Sequence, residues 1–149
     1  GYRGPAFGDA DHAAATVLAE VLFSGRAARV YKKLVREEAA SEVRGWVSTF
    51  RDPGLFEMHL VAREGHTAEE LLTLLEPELE RARQELPSAD EVARAVARLE
   101  LGQLQSMETA AGKAEQIGFY ESLMGDPAGA LRRLEAYRRV TPGDVRRVA

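Results

Sequence analysis

Between Ala14 and Leu22 the apolar residues Ala14, Val17, Leu18, Val21 and Leu22 recur at steps of three and four, the spacing of one face of a helix. The stretch "FSG" at 23–25 interrupts that pattern. Ser24 is placed to cap a second helix carrying Ala27, Val30, Tyr31, Leu34 and Val35. Ahead of both, "GYRGPAF" reads as extended backbone, because Pro5 forbids a helix there.

The period then drops from 3.6 to 2. "EVRGWVSTF" and "GLFEMHLVA" read as two strands joined by "RDPG", a tight-turn sequence. A four-residue loop pairs Phe50 with Leu55 and sets His59 opposite Trp46. In that register Val43, Gly45, Val47 and Thr49 share a face with Phe56, Met58, Leu60 and Ala62, the expected core side. The other face carries Arg44, Trp46, Ser48 and Phe50 with Leu55, Glu57, His59 and Val61. A lone hairpin is marginal in water, so more strands or helices must lie against it.

Helical spacing returns after residue 66. "TAEELLTLLEPELERARQEL" is amphipathic, with a kink expected at Pro77. "PSADEVARAVARLELGQLQSM" opens on a capping box, Ser88 with Glu91. "TAAGKAEQIGFYESLMGD" follows, and then "DPAGALRRLEAYRRV", with Asp126 as cap and Pro127 in the first turn. A last helix starts from Thr141. The order of helix, helix, hairpin and several helices, with no internal repeat, predicts an α+β fold: a small antiparallel sheet with helices packed on one face. Residues 1–149 are expected to form a single domain, a truncated piece of a larger module.

The chain has 149 residues, 45% hydrophobic and 30% charged, with a formal net charge of -4. That is enough apolar material for one compact core. The mild acidic excess argues against nucleic acid as a partner. No cysteine is present, which rules out disulfides and thiolate metal sites. No apolar run approaches the roughly 20 residues that cross a bilayer, so no membrane role is expected. Cytoplasm and periplasm both remain open. The absence of an initial methionine and the final "VRRVA" suggest a fragment of something longer.

His66-Thr67-Ala68-Glu69-Glu70 stands one residue away from His-x-x-Glu-His, a zinc-peptidase signature. Zinc needs ligands converging from one side, yet His66 precedes its helix and the second histidine is a glutamate. Thr67 with Glu70 forms a capping box that accounts for the local sequence. His12 and His59 have no metal-ligand spacing with it, so neither a metal site nor any catalytic residue is expected in this chain. Gly112 and Gly118 lack the Gly-Lys-Ser/Thr end of a phosphate loop. Arg26, Arg29, Lys32, Lys33 and Arg36 make a basic helix, read as a solvated face. The pairs Arg132-Arg133, Arg138-Arg139 and Arg146-Arg147 are read as the wet side of helices. Trp46, Phe50 and His59 with Leu55 form an aromatic-rich second sheet face. Either helices cover it, or it binds unfolded peptide through large apolar rings.

The segment "GRAARVYKKLVREEAASEVRGWVSTFRDPGLFEMHLVAREGHTAEELL" resembles the non-catalytic modules of the insulinase/pitrilysin (inverzincin) zinc metallopeptidase family, including its mitochondrial-processing-peptidase-like members. The segment before it and "RLELGQLQSMETAAGKAEQIGFYESLMGDP" after it are similar in the same order. The resemblance implies α+β modules assembling around a chamber, with sheets lining the inside. It places zinc in another, catalytic module and none here. It also implies an arginine and, seven positions on, a tyrosine that help bind substrate. Arg36 matches the arginine, but Val43 stands where the tyrosine would be and cannot donate to an oxyanion. The expected role is therefore structural and substrate-enclosing, the fragment alone being inactive. Arg36, Trp46, Phe50 and His59 are the candidate substrate contacts. Other modules of the same peptidase, in the same chain or a partner subunit, are the expected partners, and strands outside the fragment are expected to complete its sheet. The alternative is a structural core subunit or interaction domain of the same fold with no peptidase activity in the parent.

Overall fold

A computed structural model describes all residues, 1–149. Three strands, β1 (Tyr2–Arg3), β2 (Ala40–Val47) and β3 (Leu55–Ala62), form an antiparallel sheet in the order β1-β3-β2. Six helices surround one side of it: α1 (Ala10–Phe23), α2 (Ala68–Gln84), α3 (Ala89–Ser106), α4 (Ala110–Met124), α5 (Gly129–Arg139) and α6 (Pro142–Val148). The α+β class and the one-sided helix layer are as the sequence predicts.

α1 is the central beam. Ten of its fourteen residues are buried, because it lies between the sheet and the outer helices and so has almost no wet face. Val17, Leu18, Val21, Leu22 and Phe23 join Val30, Leu34, Val43, Leu71, Leu75, Val92 and Val145 in the main core. Gly45 lets α1 approach β2 closely. A β-carbon there would lie 2.2 Å from the Phe23 ring, well inside van der Waals contact.

The hairpin keeps the predicted faces but not the predicted register. Val47 pairs with Phe56, Gly45 with Met58 and Val43 with Leu60, two residues away from the Phe50–Leu55 alignment. Trp46 consequently faces Glu57, and His59 faces Arg44 rather than Trp46. The cause lies in the N-terminal segment. Phe7 N–H donates to Phe50 O and Gly4 N–H to Gly54 O, each at 2.9 Å, so those carbonyls are drawn out of the hairpin. Ser48 N–H bonds Leu55 O instead. A slip of two preserves alternation, which is why the faces survive. A bulge at Ser41 absorbs an irregularity near the start of β2.

The second predicted helix is shorter than its pattern. Ser24 does not cap it; its N–H bonds Glu20 O and its hydroxyl bonds Glu20 Oε1, closing α1. Gly25, at φ 80°, turns the chain. Only the wide turn Tyr31–Val35 follows, with Arg36 N–H reaching Tyr31 O. Capping boxes at Thr67/Glu70, Ser88/Glu91 and Thr141/Asp144 open α2, α3 and α6. α2 runs unbroken through Pro77. α5 starts at Gly129, later than expected, and Asp126 instead holds a preceding turn through Ala128 N–H at 3.0 Å. No helix is long and apolar enough to cross a membrane.

Candidate functional site

The outer face of the sheet carries side chains that no helix covers. Trp46 is 43% exposed and Phe50 62%, and Leu55, Val61, Arg44 and His59 are exposed beside them. Such a run of large apolar groups on one face is the kind of surface that binds something. Its polar members are ordered. Trp46 Nε1 donates to Glu57 Oε2 at 3.0 Å, and the Ser48 hydroxyl donates to the same oxygen at 3.3 Å. Leu55 N–H in turn bonds Ser48 Oγ at 3.2 Å. Arg44 pairs with Glu42 along its own strand.

Of the four candidate contacts, Trp46, Phe50 and His59 share this face or the loop beside it. Arg36 does not join them. It ends the wide turn that precedes β2, whereas Trp46 stands at the far end of that strand, about 20 Å of extended backbone away. Val43, the position of the missing tyrosine, points inward and is buried in the core.

The histidines do not converge. His66 is exposed, and its Nδ1 lies 3.2 Å from Glu70 Oε2. That carboxylate also accepts Thr67 N–H at 3.0 Å, and the two bonds hold its pKa below the ordinary value. His59 lies on the outer face. His12 is 1% exposed inside the protein. No group of three or more His, Asp or Glu side chains is placed to hold a metal ion, and so the residues present do not fit zinc.

His12 belongs to a buried cluster that the sequence pattern did not reveal. Its Nε2 lies 3.1 Å from Ser48 O, and its Nδ1 contacts the Arg133 guanidinium and the Thr16 hydroxyl. A carbonyl only accepts and a guanidinium only donates, which fixes the neutral ring with its proton on Nε2. Burial, and then the charge of Arg133, lower the His12 pKa to about 4. Arg133 also lies over the Phe7 ring at 4.3 Å and bonds the Tyr137 hydroxyl at 3.2 Å. It is 8% exposed, which corrects the reading of Arg132-Arg133 as uniformly wet. Arg29 likewise leaves the supposed solvated face. It is buried and grips Glu91 with two bonds, 2.8 and 3.0 Å, and this bond lowers the Glu91 pKa to about 2. Both nitrogens of His12 are engaged, so this cluster locks α1 to α5 and to the end of β2 instead of moving protons.

The sequence profile described as the peptidase M16 inactive domain matches residues 1–99. No curated protein matches the chain. Among solved structures, a protease from Helicobacter pylori aligns over 99% of this chain and 36% of its own, with TM-score 0.87 and 19% identity. The inactive peptidase domain from Bordetella parapertussis aligns over 98% of this chain and 78% of its own, with TM-score 0.87 and 24% identity. A chain of complex III2 from Candida albicans aligns over 99% and 37%, with TM-score 0.83 and 17% identity. This chain thus spans little more than a third of the Helicobacter and Candida chains, and these identities establish shared fold.

Proposed function

Since the chain belongs to the peptidase M16 inactive-domain family, we propose that it is a non-catalytic wall of a larger zinc peptidase, enclosing peptide against the outer face of its sheet. The observation that carries this reading is the exposure of Trp46, Phe50 and Leu55 together on a face that no helix of the chain covers. Large rings bind extended peptide without demanding one sequence, which suits an enclosing wall. Residues 1–149 act as one such module. Zinc, held by the catalytic module, would supply the activated water, while this chain orients peptide through Trp46, Phe50 and His59. Arg36, exposed at the end of the wide turn and remote from that face, has no part in this wall.

Contact with the rest of the peptidase falls at the sheet edge. β1 pairs with β3 only at Leu55 and Phe56, so Met58–Ala62 have no strand on that side. A cavity of about 260 Å³ opens beside this edge, lined by Tyr2, Leu18, Leu22, Phe56 and Met58 among others. An unpaired edge next to an apolar hollow suits a neighbouring strand or module.

Titrating an isotope-labelled chain with an unstructured peptide tests the wall directly. Amide shifts confined to residues 44–50 and 55–61 are the expected result; no shift, or shifts confined to the helices, would reject it. A second reading, a structural subunit with no peptidase in the parent, is favoured by the likeness to the Candida complex III2 chain. In that case a partner protein covers the face and peptide does not bind it.

A further inference from the structure

Glu57 stands out on the outer face. Its Oε2 takes both available donors, Trp46 Nε1 and the Ser48 hydroxyl, which leaves Oε1 without a protein partner. The other carboxylate of this face, Glu42, is neutralised by Arg44. Glu57 forms no ion pair with any cation of the chain. The Trp46 ring, half open to solvent, carries no cation either; the arginines that stack on rings lie over Tyr2, Phe7 and Tyr137.

We propose that Trp46 and Glu57 together form a receptor for a lysine or arginine side chain of an extended peptide, a refinement that rests on the outer face being the peptide wall. The cation lies over the indole, whose face is negative, and directs an N–H to Glu57 Oε1. Exposed Leu55 and Phe50 then take an apolar residue next to the basic one. Discrimination comes from a penalty as well as an attraction. A peptide that covers this face with apolar groups alone strips water from an unpaired carboxylate, and an acidic peptide meets it with like charge. Arg44, being paired along its own strand, does not compete for Glu57. The preference is therefore local: one basic residue at the Trp46 end of the sheet, and no broad demand for positive charge.

Trp46 is the only tryptophan in the chain, so its emission reports the site without a label. Short blocked peptides of leucine and alanine, carrying arginine, lysine, norleucine or glutamate at one central position, are titrated against the wild-type chain and Glu57→Gln. The glutamine still accepts from Trp46 and Ser48, so the local structure is kept. Arginine and lysine peptides should bind roughly fivefold to tenfold tighter than the norleucine peptide. In Glu57→Gln the ratio should fall to near one, with norleucine binding tightening as the cost of desolvating the carboxylate is lost, and Glu57→Lys should favour the glutamate peptide. Equal affinities in the wild type, or a basic preference that survives Glu57→Gln, would overturn the receptor and leave the peptide wall standing. Binding of none of the peptides would take down the wall and the receptor together.

Discussion

Alternate residues of β2 live under different physical rules. Val43, Gly45 and Val47 turn toward α1, where a single methyl group at Gly45 would collide with Phe23. Arg44 and Trp46, one step away on the same strand, turn to an uncovered side. On the inner side packing density sets the residue, and substitutions register as stability. On the outer side no helix covers Trp46, Leu55 or His59, so residues there are free to be selected for what they bind. Ser48 joins the two regimes. Its carbonyl meets the buried His12 ring, and its hydroxyl meets the outer carboxylate of Glu57.

The largest effect that separates the two sides is acid. His12 has a pKa of about 4 in the fold against an ordinary 6.5, so the unfolded chain binds the extra proton first. Stability from the neutral ring is complete above about pH 6.5 and is lost as pH falls toward 4, on the order of 3 kcal/mol in all. Urea melts across that window should show the drop. Arg133→Met removes the second cause of the shift, so the His12 ring should titrate at a higher pH in proton spectra. An unchanged His12 titration in that variant would refute the pairing. Next comes Gly45→Ala, which forces Phe23 aside and should cost about 1–3 kcal/mol in thermal or urea unfolding. Pairing it with Phe23→Leu should recover part of that loss, since the two sites touch. A smaller loss belongs to Glu91. Its carboxyl, held down to about 2 by Arg29, contributes stability above its ordinary 4.5 that disappears as pH falls toward 2. The site is partly wet, so the loss is about 1 kcal/mol. Arg29→Met should shrink this second acid limb to what the Ser88 bonds sustain, and leave the first.

The alternation that divides the two faces was legible in the sequence, because a period of two survives any even slip. The register was not, because it depends on Gly4 and Phe7 claiming carbonyls of a loop more than forty residues away. β1 was legible only as extended backbone, for a related reason. Two residues, Tyr2 and Arg3, carry no periodicity, and only their pairing with β3 makes them a strand. The capping boxes at Thr67 and Ser88 and the helix start at Thr141 could be read directly, being local chemistry within four residues. Arg29 and Arg133 were misread as wet because local charge pattern says nothing of a partner at a distance. Arg133 meets His12 across 121 positions and Arg29 meets Glu91 across 62. Of the candidate contacts, Trp46, Phe50 and His59 came from the exposed face of the pattern and stayed together. Arg36 came from family likeness alone, and the fold sets it apart from them.

The smallest predicted effect on stability is on the outer face, and there the comparison is most exposed to failure. Trp46 is the largest side chain in the protein, so in a packed position its truncation would cost about 3–5 kcal/mol. Here the ring touches solvent, and its one hydrogen bond runs to Glu57 on the same wet face. Trp46→Thr, which keeps a strand-favouring residue at that place, should change unfolding free energy by no more than about 0.5 kcal/mol. The same substitution should abolish the basic-peptide preference, because the indole is lost while Glu57 remains. A stability loss of core size from Trp46→Thr would mean that the outer face is packed in solution, by a second copy or by its own loop. The two sides of the hairpin would then no longer divide between holding the fold together and meeting a ligand.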